Sequence, residues 1–144
     1  MMKNAALISA GCVFAAVGIV HGVRYSLAQE AIVGGMIVPV GWSLVLGLIQ
    51  VESNFRKFAI SRAGARGYMQ VMPFWTRVIG DGDAGNLFHM QSNLRFGCVI
   101  LRHYLERERG NLFMALGRYN GSRGKAAYPD AVLAAQRAWV YADA

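Results

Sequence analysis

The chain has 144 residues, 55% of them hydrophobic and 11% aromatic, enough apolar material for one core and too much for a disordered chain. Fifteen Lys and Arg against eight Asp and Glu leave a formal charge of +7, which favours a polyanionic partner: nucleic acid, an anionic membrane surface or an acidic wall polymer. The cations are dispersed between Arg56 and Lys125, which argues against a nucleic-acid arm. The two cysteines and three histidines lack ligand-pair spacing, which argues against a disulfide framework or a zinc site.

The amino end reads as an export signal. Lys3 supplies the positive start, Ala5 to Val20 is apolar apart from Ser9, and Ser26-Leu27-Ala28 offers small residues at the cleavage positions. Residues 1–28 are therefore expected to be a signal peptide or an uncleaved signal anchor, with residues 29–144 forming the folded domain. A second uncharged stretch, Ala31 to Val51, is also long enough to span a membrane. Gly34, Gly35, Pro39, Gly41 and Gly47 favour instead a break at Gly34-Gly35 and a core helix opening near Pro39. That helix would carry Trp42, Val45, Leu46 and Ile49 towards Glu52.

Glu52 closes this uncharged run. A carboxyl group flanked by so much apolar sequence is costly to ionise, because burial disfavours the charged form. It is either a structural burden or a proton donor.

From Ser53 to Gly67 the chain turns to Ser, Arg, Ala and Gly, which predicts loop and turn, with short extended pieces around Gly67 to Val71. Pro73 opens a short helix through Val78. The loop Gly80 to Asn86 holds Asp81 and Asp83, half of a calcium-loop pattern without its remaining ligands, and so reads as a solvated turn. Leu94, Cys98, Leu101 and Leu105 recur at helical spacing and predict an amphipathic helix over 92–109. Its cap is Ser92 or Asn93, Glu106 to Arg109 form its solvated last turn, and Gly110 ends it. Another helix starts at Leu112, capped by Asn111, and a final one opens at Pro129-Asp130 with Val132, Leu133, Gln136 and Trp139. The pattern is α+β, mainly α, with a small extended patch.

Three islands carry chemistry in order along the chain: Glu52-Ser53 with Ser61, then Gly67-Tyr68-Met69-Gln70 with Met72-Pro73, then Tyr119-Asn120-Gly121. This layout resembles the soluble lytic transglycosylases of the lysozyme-like superfamily, whose signatures are Glu-Ser, Gly-Leu-Met-Gln and Ala-Tyr-Asn-Ala-Gly. The likeness runs from about Pro39 to Trp139. It implies a lysozyme-like domain that cleaves the peptidoglycan glycan strand between N-acetylmuramic acid and N-acetylglucosamine without cofactor or metal, leaving 1,6-anhydro ends. It also implies a monomeric periplasmic enzyme, with membrane association if the amino-terminal segment is retained. Residue by residue, Glu52 takes the place of the catalytic acid, and Tyr119 stands beside it to hold the proton-transfer geometry. Ser61, Gln70, Met72 and Asn120 match positions of the sugar-binding groove and its neighbouring motif.

Taken alone, each residue has a plainer role. Ser53 fits a turn former, Gln70 a bridge between loop backbone groups, Met72 a core filler and Tyr119 a packed ring with its hydroxyl satisfied. The chain departs from the pattern at Tyr68, where the family has Leu, and at "RYNGS", where Arg118 precedes the tyrosine. The alternatives are a goose-type lysozyme-like hydrolase, or a non-catalytic wall-binding or membrane-anchored module.

Overall fold

The computed structural model describes residues 31–33, 36–38 and 41–140, so the readings on residues 1–30, Gly34-Gly35 and Pro39 lie outside the described residues. A short hairpin comes first: β1 (Ala31–Val33) pairs antiparallel with β2 (Met36–Val38), Ala31 opposite Val38 and Val33 opposite Met36. The rest is mainly helical: α1 (Trp42–Ser53), α2 (Phe74–Ile79), a 3-10 turn (Ala84–Phe88), α3 (Met90–Arg107), α4 (Leu112–Asn120) and α5 (Ala127–Val140). The extended patch expected after Ser53 amounts to single bridges, Ile60 to Arg66 and Arg66 to Val71. Among the described residues no helix is long and apolar enough to cross a membrane.

Helix α1 is apolar nearly all round because it lies inside the core. Leu44, Leu48 and Ile49 are buried there, against Leu94, Ile100 and Leu101 of α3, Ala115 and Leu116 of α4, and Val132 of α5. Met69, Val71 and Leu87 close the core from the connecting segments. Fully burying one such side chain is worth about 1.5–3 kcal/mol against leaving it in water.

The expected caps need one correction. Helix α3 begins at Met90, with His89 at its N-cap and no side chain capping it. Asn93 is instead fully buried within the helix. Its Oδ1 accepts from Met69 N at 2.8 Å, and its Nδ2 donates to Leu87 O at 2.8 Å and Arg66 O at 2.9 Å. A buried amide that finds three backbone partners ties loop to helix at little desolvation cost. Asn111 does cap α4, accepting from Met114 N at 3.1 Å.

Gly47 fixes the crossing of α1 on α5. A Cβ there would stand 2.6 Å from Gln136 N and 2.9 Å from Val132 O, both backbone atoms of the facing helix. Only a residue with no side chain lets the helices approach this closely. From that point they run antiparallel, so the end of α1 meets the start of α5. Gly47→Ala is expected to destabilise the protein by about 1–3 kcal/mol through overpacking, read as a lower Tm.

The last turn of α3 also departs from expectation. Glu106 pairs with Arg102 at 2.7 Å on the surface, but the Glu108 side chain is only 7% exposed, covered by two guanidinium groups. Arg123 donates through Nε at 2.7 Å and Nη2 at 2.9 Å, and Arg118 through Nε. Arg123, then Arg118, pull the Glu108 carboxyl from 4.5 down to about 2. The carboxyl is therefore more acidic folded than unfolded, and its contribution is present above the unfolded value of 4.5 and lost as pH falls towards about 2. Denaturant titrations of wild type and Glu108→Gln should show a wild-type advantage at neutral pH that shrinks steadily over that acid window.

Candidate active site

Glu52 stands in the last turn of α1, one residue before Ser53 ends the helix. Beyond it the backbone takes two successive left-handed residues, Asn54 at φ 48° and Phe55 at φ 61°. A bulky residue at positive φ is strained and persists only where packing holds it. Here the Phe55 ring meets Trp139 of α5 edge-on at 5.6 Å, and Trp139 Nε1 donates to Gln50 Oε1 at 2.9 Å. The double turn throws the chain sideways, so that residues 56–61 form one wall of a groove with Glu52 in it.

That groove encloses about 640 Å³ and is lined by Glu52, Arg56, Lys57, Phe58, Ser61 and Gln70, among others. Phe58 is 69% exposed and Ile60 63%, giving the rim an apolar face. Among the described residues, Glu52 is the one carboxylate in the lining.

Gln70 reaches the groove from the end of the loop Gly67 to Gln70, which is clamped from three helices. The Ser53 hydroxyl of α1 donates to Tyr68 O at 2.7 Å, Asn93 of α3 accepts from Met69 N, and the Tyr119 hydroxyl of α4 donates to Met69 O at 2.8 Å. Gly67 makes the loop possible. It sits at φ 75°, and a Cβ would come within 2.4 Å of both Asn93 Nδ2 and Leu87 O.

The expected site residues thus take different places. Glu52, Ser61 and Gln70 share the groove. Ser61 Oγ accepts from Ala65 N at 3.0 Å, and Gln70 Nε2 donates to Gly67 O at 2.8 Å and Ala59 O at 3.2 Å, so both also brace their own loop. Met72 is half-buried beside Pro73, and Asn120 is exposed at the end of α4; neither is among the residues lining the groove. Tyr119 packs against the core with its hydroxyl on Met69 O. Burial raises its phenol well above the usual range, and the nearby Glu52 charge adds to that.

The residue in direct contact with the acid is one the motifs did not mark. Tyr128, in the first turn of α5, donates its hydroxyl to Glu52 Oε1. Burial of Tyr128 raises its own phenol far above the ordinary value, so it stays a donor. Its neighbour Pro129 marks a helix start, but nothing in the local pattern points 76 residues back to Glu52. Glu52 itself is pushed up from 4.5 to about 7, mainly by burial and against the opposing pull of the Tyr128 hydrogen bond. Its place at a helix C-terminus, where the backbone dipole is negative, works in the same direction as burial. At neutral pH about half of the molecules therefore hold a proton on this carboxyl next to an open groove, the balance a general acid and base requires.

The family model described as "Transglycosylase SLT domain" matches residues 37–133. The chain belongs to this family. Among relatives of the SLT domain, a protein named "Transglycosylase" from Enterobacteria phage PRD1 is 34% identical over 83 residues, covering 58% of this chain and 30% of that one. The 70 kDa soluble lytic transglycosylase SLT70 of Escherichia coli superposes on 97% of the chain and 29% of its own length, with a TM-score of 0.63 at 17% identity. An inactive mutant of lytic transglycosylase Slt from Pseudomonas aeruginosa, a glutamate replaced by glutamine, covers 66% of the chain and 18% of its own, with a TM-score of 0.52 at 24% identity. These structures share the fold of the SLT domain described here. The chain spans less than a third of the length of each of these relatives.

The opposing terms at Glu52 yield a test of the geometry. Tyr128→Phe removes the hydrogen bond that favours the ionised carboxylate, so the Glu52 pKa should rise above about 7. Carbon-13 titration of the glutamate side chains would show the midpoint moving to higher pH, and an unmoved midpoint would separate Tyr128 from the acid.

Proposed function

We propose that this chain is a peptidoglycan lytic transglycosylase acting in the periplasm, with Glu52 as its single general acid and base. The observation that carries the reading is the Glu52 carboxyl, held up to about 7 in a groove whose described lining contains no second carboxylate. Membership of the SLT domain family and the lytic transglycosylases that share its fold support the substrate class. The export-signal pattern read in the sequence of residues 1–28 supports the compartment.

Glycosidases that use water flank the scissile bond with two carboxyl groups, ~6.5–9.5 Å apart in inverting enzymes and ~5–5.5 Å in retaining ones. The other described acids are engaged elsewhere or exposed: Asp81 accepts from Asp83 N and Asp83 from Gly85 N in their own turn, Glu106 and Glu108 pair with arginines, and Asp130 is exposed in the first turn of α5. In the proposed reaction, protonated Glu52 gives its proton to the glycosidic oxygen as the bond to the muramyl C1 breaks. The acetamido oxygen of the same sugar stabilises the cation at C1. Glu52, now a carboxylate steadied by Tyr128, takes the proton from the C6 hydroxyl as that oxygen closes on C1. The products are a 1,6-anhydromuramyl end and a glucosamine with a free 4-hydroxyl, and no water is consumed. Tyr119 acts through the loop, since its hydroxyl holds Met69 O.

Digestion of purified sacculi in oxygen-18 water tests the product: unlabelled anhydro-muropeptides are expected, and labelled reducing ends would make the enzyme a hydrolase. Glu52→Gln should abolish turnover while keeping glycan binding. It should also change stability in a defined direction. Glu52 is less acidic folded than unfolded, so burying it as a neutral acid costs little at low pH, and the cost appears as pH rises through about 7. At pH 8 the glutamine variant is expected to be the more stable protein, by up to about 3 kcal/mol in denaturant titration.

A further inference from the structure

The basic wall of the groove is not used by the proton transfers above. Arg118 and Arg123 are held by Glu108, and Arg102 by Glu106. Arg56 and Lys57 are different: both line the groove beside Glu52, both are exposed, and neither has an ion-pair partner among the described residues. Each is nevertheless oriented. Arg56 Nε donates to Ser53 O at 3.1 Å, which fixes the guanidinium and leaves its two terminal amino groups for an outside acceptor. Lys57 Nζ lies 5.0 Å from the centre of the Phe58 ring, a contact that holds an ammonium group while leaving its hydrogens to solvent or ligand.

Two adjacent cations on one wall, in a groove whose described lining has Glu52 as its one acid, favour an anionic group on whatever enters. A guanidinium presenting paired N–H groups suits a carboxylate. The strand named under the proposed function carries such groups: each muramyl residue bears a lactyl ether at O3, and the lactyl carbonyl leads into a short peptide with ionised acids. We propose that Arg56 and Lys57 form a carboxylate-reading wall that selects glycan strands by the acidic substituent next to the scissile bond. This deepens the transglycosylase reading and rests on it for the identity of the strand. The shared chemistry is a carboxylate, from the stem peptide or, where the peptide has been removed, from the freed lactyl group.

The test measures binding in the Glu52→Gln background, so that turnover does not enter. Three probes are compared: strands with their stem peptides, strands stripped of peptide so that the lactyl carboxylate is free, and an N-acetylglucosamine oligomer with no carboxylate. Adding Arg56→Ala and Lys57→Ala should weaken binding of peptide-bearing strands roughly 5- to 20-fold, the scale of two exposed charge pairs, with a shallower salt dependence. An equal loss on stripped strands shows that the wall accepts either the stem's carboxylate or the lactyl carboxylate freed by stripping, and a loss confined to peptide-bearing strands identifies the stem alone. The carboxylate-free oligomer should bind both proteins alike. Because Arg56 braces Ser53, Lys57→Ala alone is measured as well, where a smaller loss with the same probe order is expected from a chain with unchanged thermal melting. Unchanged affinity for all probes, or an equal loss on the neutral oligomer, overturns the wall. Failure of the parent Glu52→Gln protein to bind any of the three would overturn the transglycosylase reading itself, and the wall with it.

Discussion

Where α1 crosses α5, the backbone at Gly47 lies so close to Gln136 and Val132 that no side chain fits between them. Two helices that touch at their backbones keep one relative angle and height. Their antiparallel run carries the last turn of α1 to the first turn of α5, which puts the Tyr128 hydroxyl on the Glu52 carboxyl. The same seam places Trp139 against Phe55 and so supports the strained double turn that forms the groove wall. The acid's contact with α5, and through it the direction the chain takes after the acid, depend on one absent methyl group.

The molecule holds two glutamates in opposite electrostatic states, and their surroundings decide which. Glu52 has an apolar flank and one neutral hydroxyl donor, so desolvation prevails and the proton stays on to about 7. Glu108 meets two guanidinium groups, which outweigh desolvation and bring it to about 2. Arg118, the departure that set "RYNGS" apart from the family pattern, belongs to the second cluster. It fastens the end of α3 to α4 one residue before Tyr119, so the unusual residue strengthens the scaffold behind the loop and leaves the acid untouched.

Much of this was legible in the sequence because it depends on local pattern. The period of Leu94, Cys98, Leu101 and Leu105 located the face of α3 that is buried, and Asn111 marked the start of α4. Glu52 was conspicuous because twenty-one uncharged residues, Ala31 to Val51, come before it. What escaped depends on distance. Gly47 counted only among the residues arguing against one unbroken helix over 31–51 and is a crossing point. Asn93 looked like a cap and is a buried tie between loop and helix. Tyr128 carries no motif, and its role exists only through a partner 76 positions away. Glu108 looked solvated because its arginines come from α4 and the loop after it, beyond the reach of helical spacing.

The loop Gly67 to Gln70 is held by hydroxyl and amide groups from α1, α3 and α4, and the acid is held by α5. No contiguous fragment of the chain contains these parts together. An unfolded copy has neither groove nor buried carboxyl: Glu52 returns to its ordinary value of 4.5 and is ionised at neutral pH, with no proton to deliver. Under the proposed function, the acid therefore becomes usable only with the closing of the fold, and an unfolded copy of the chain is inert because its carboxyl has no proton to give.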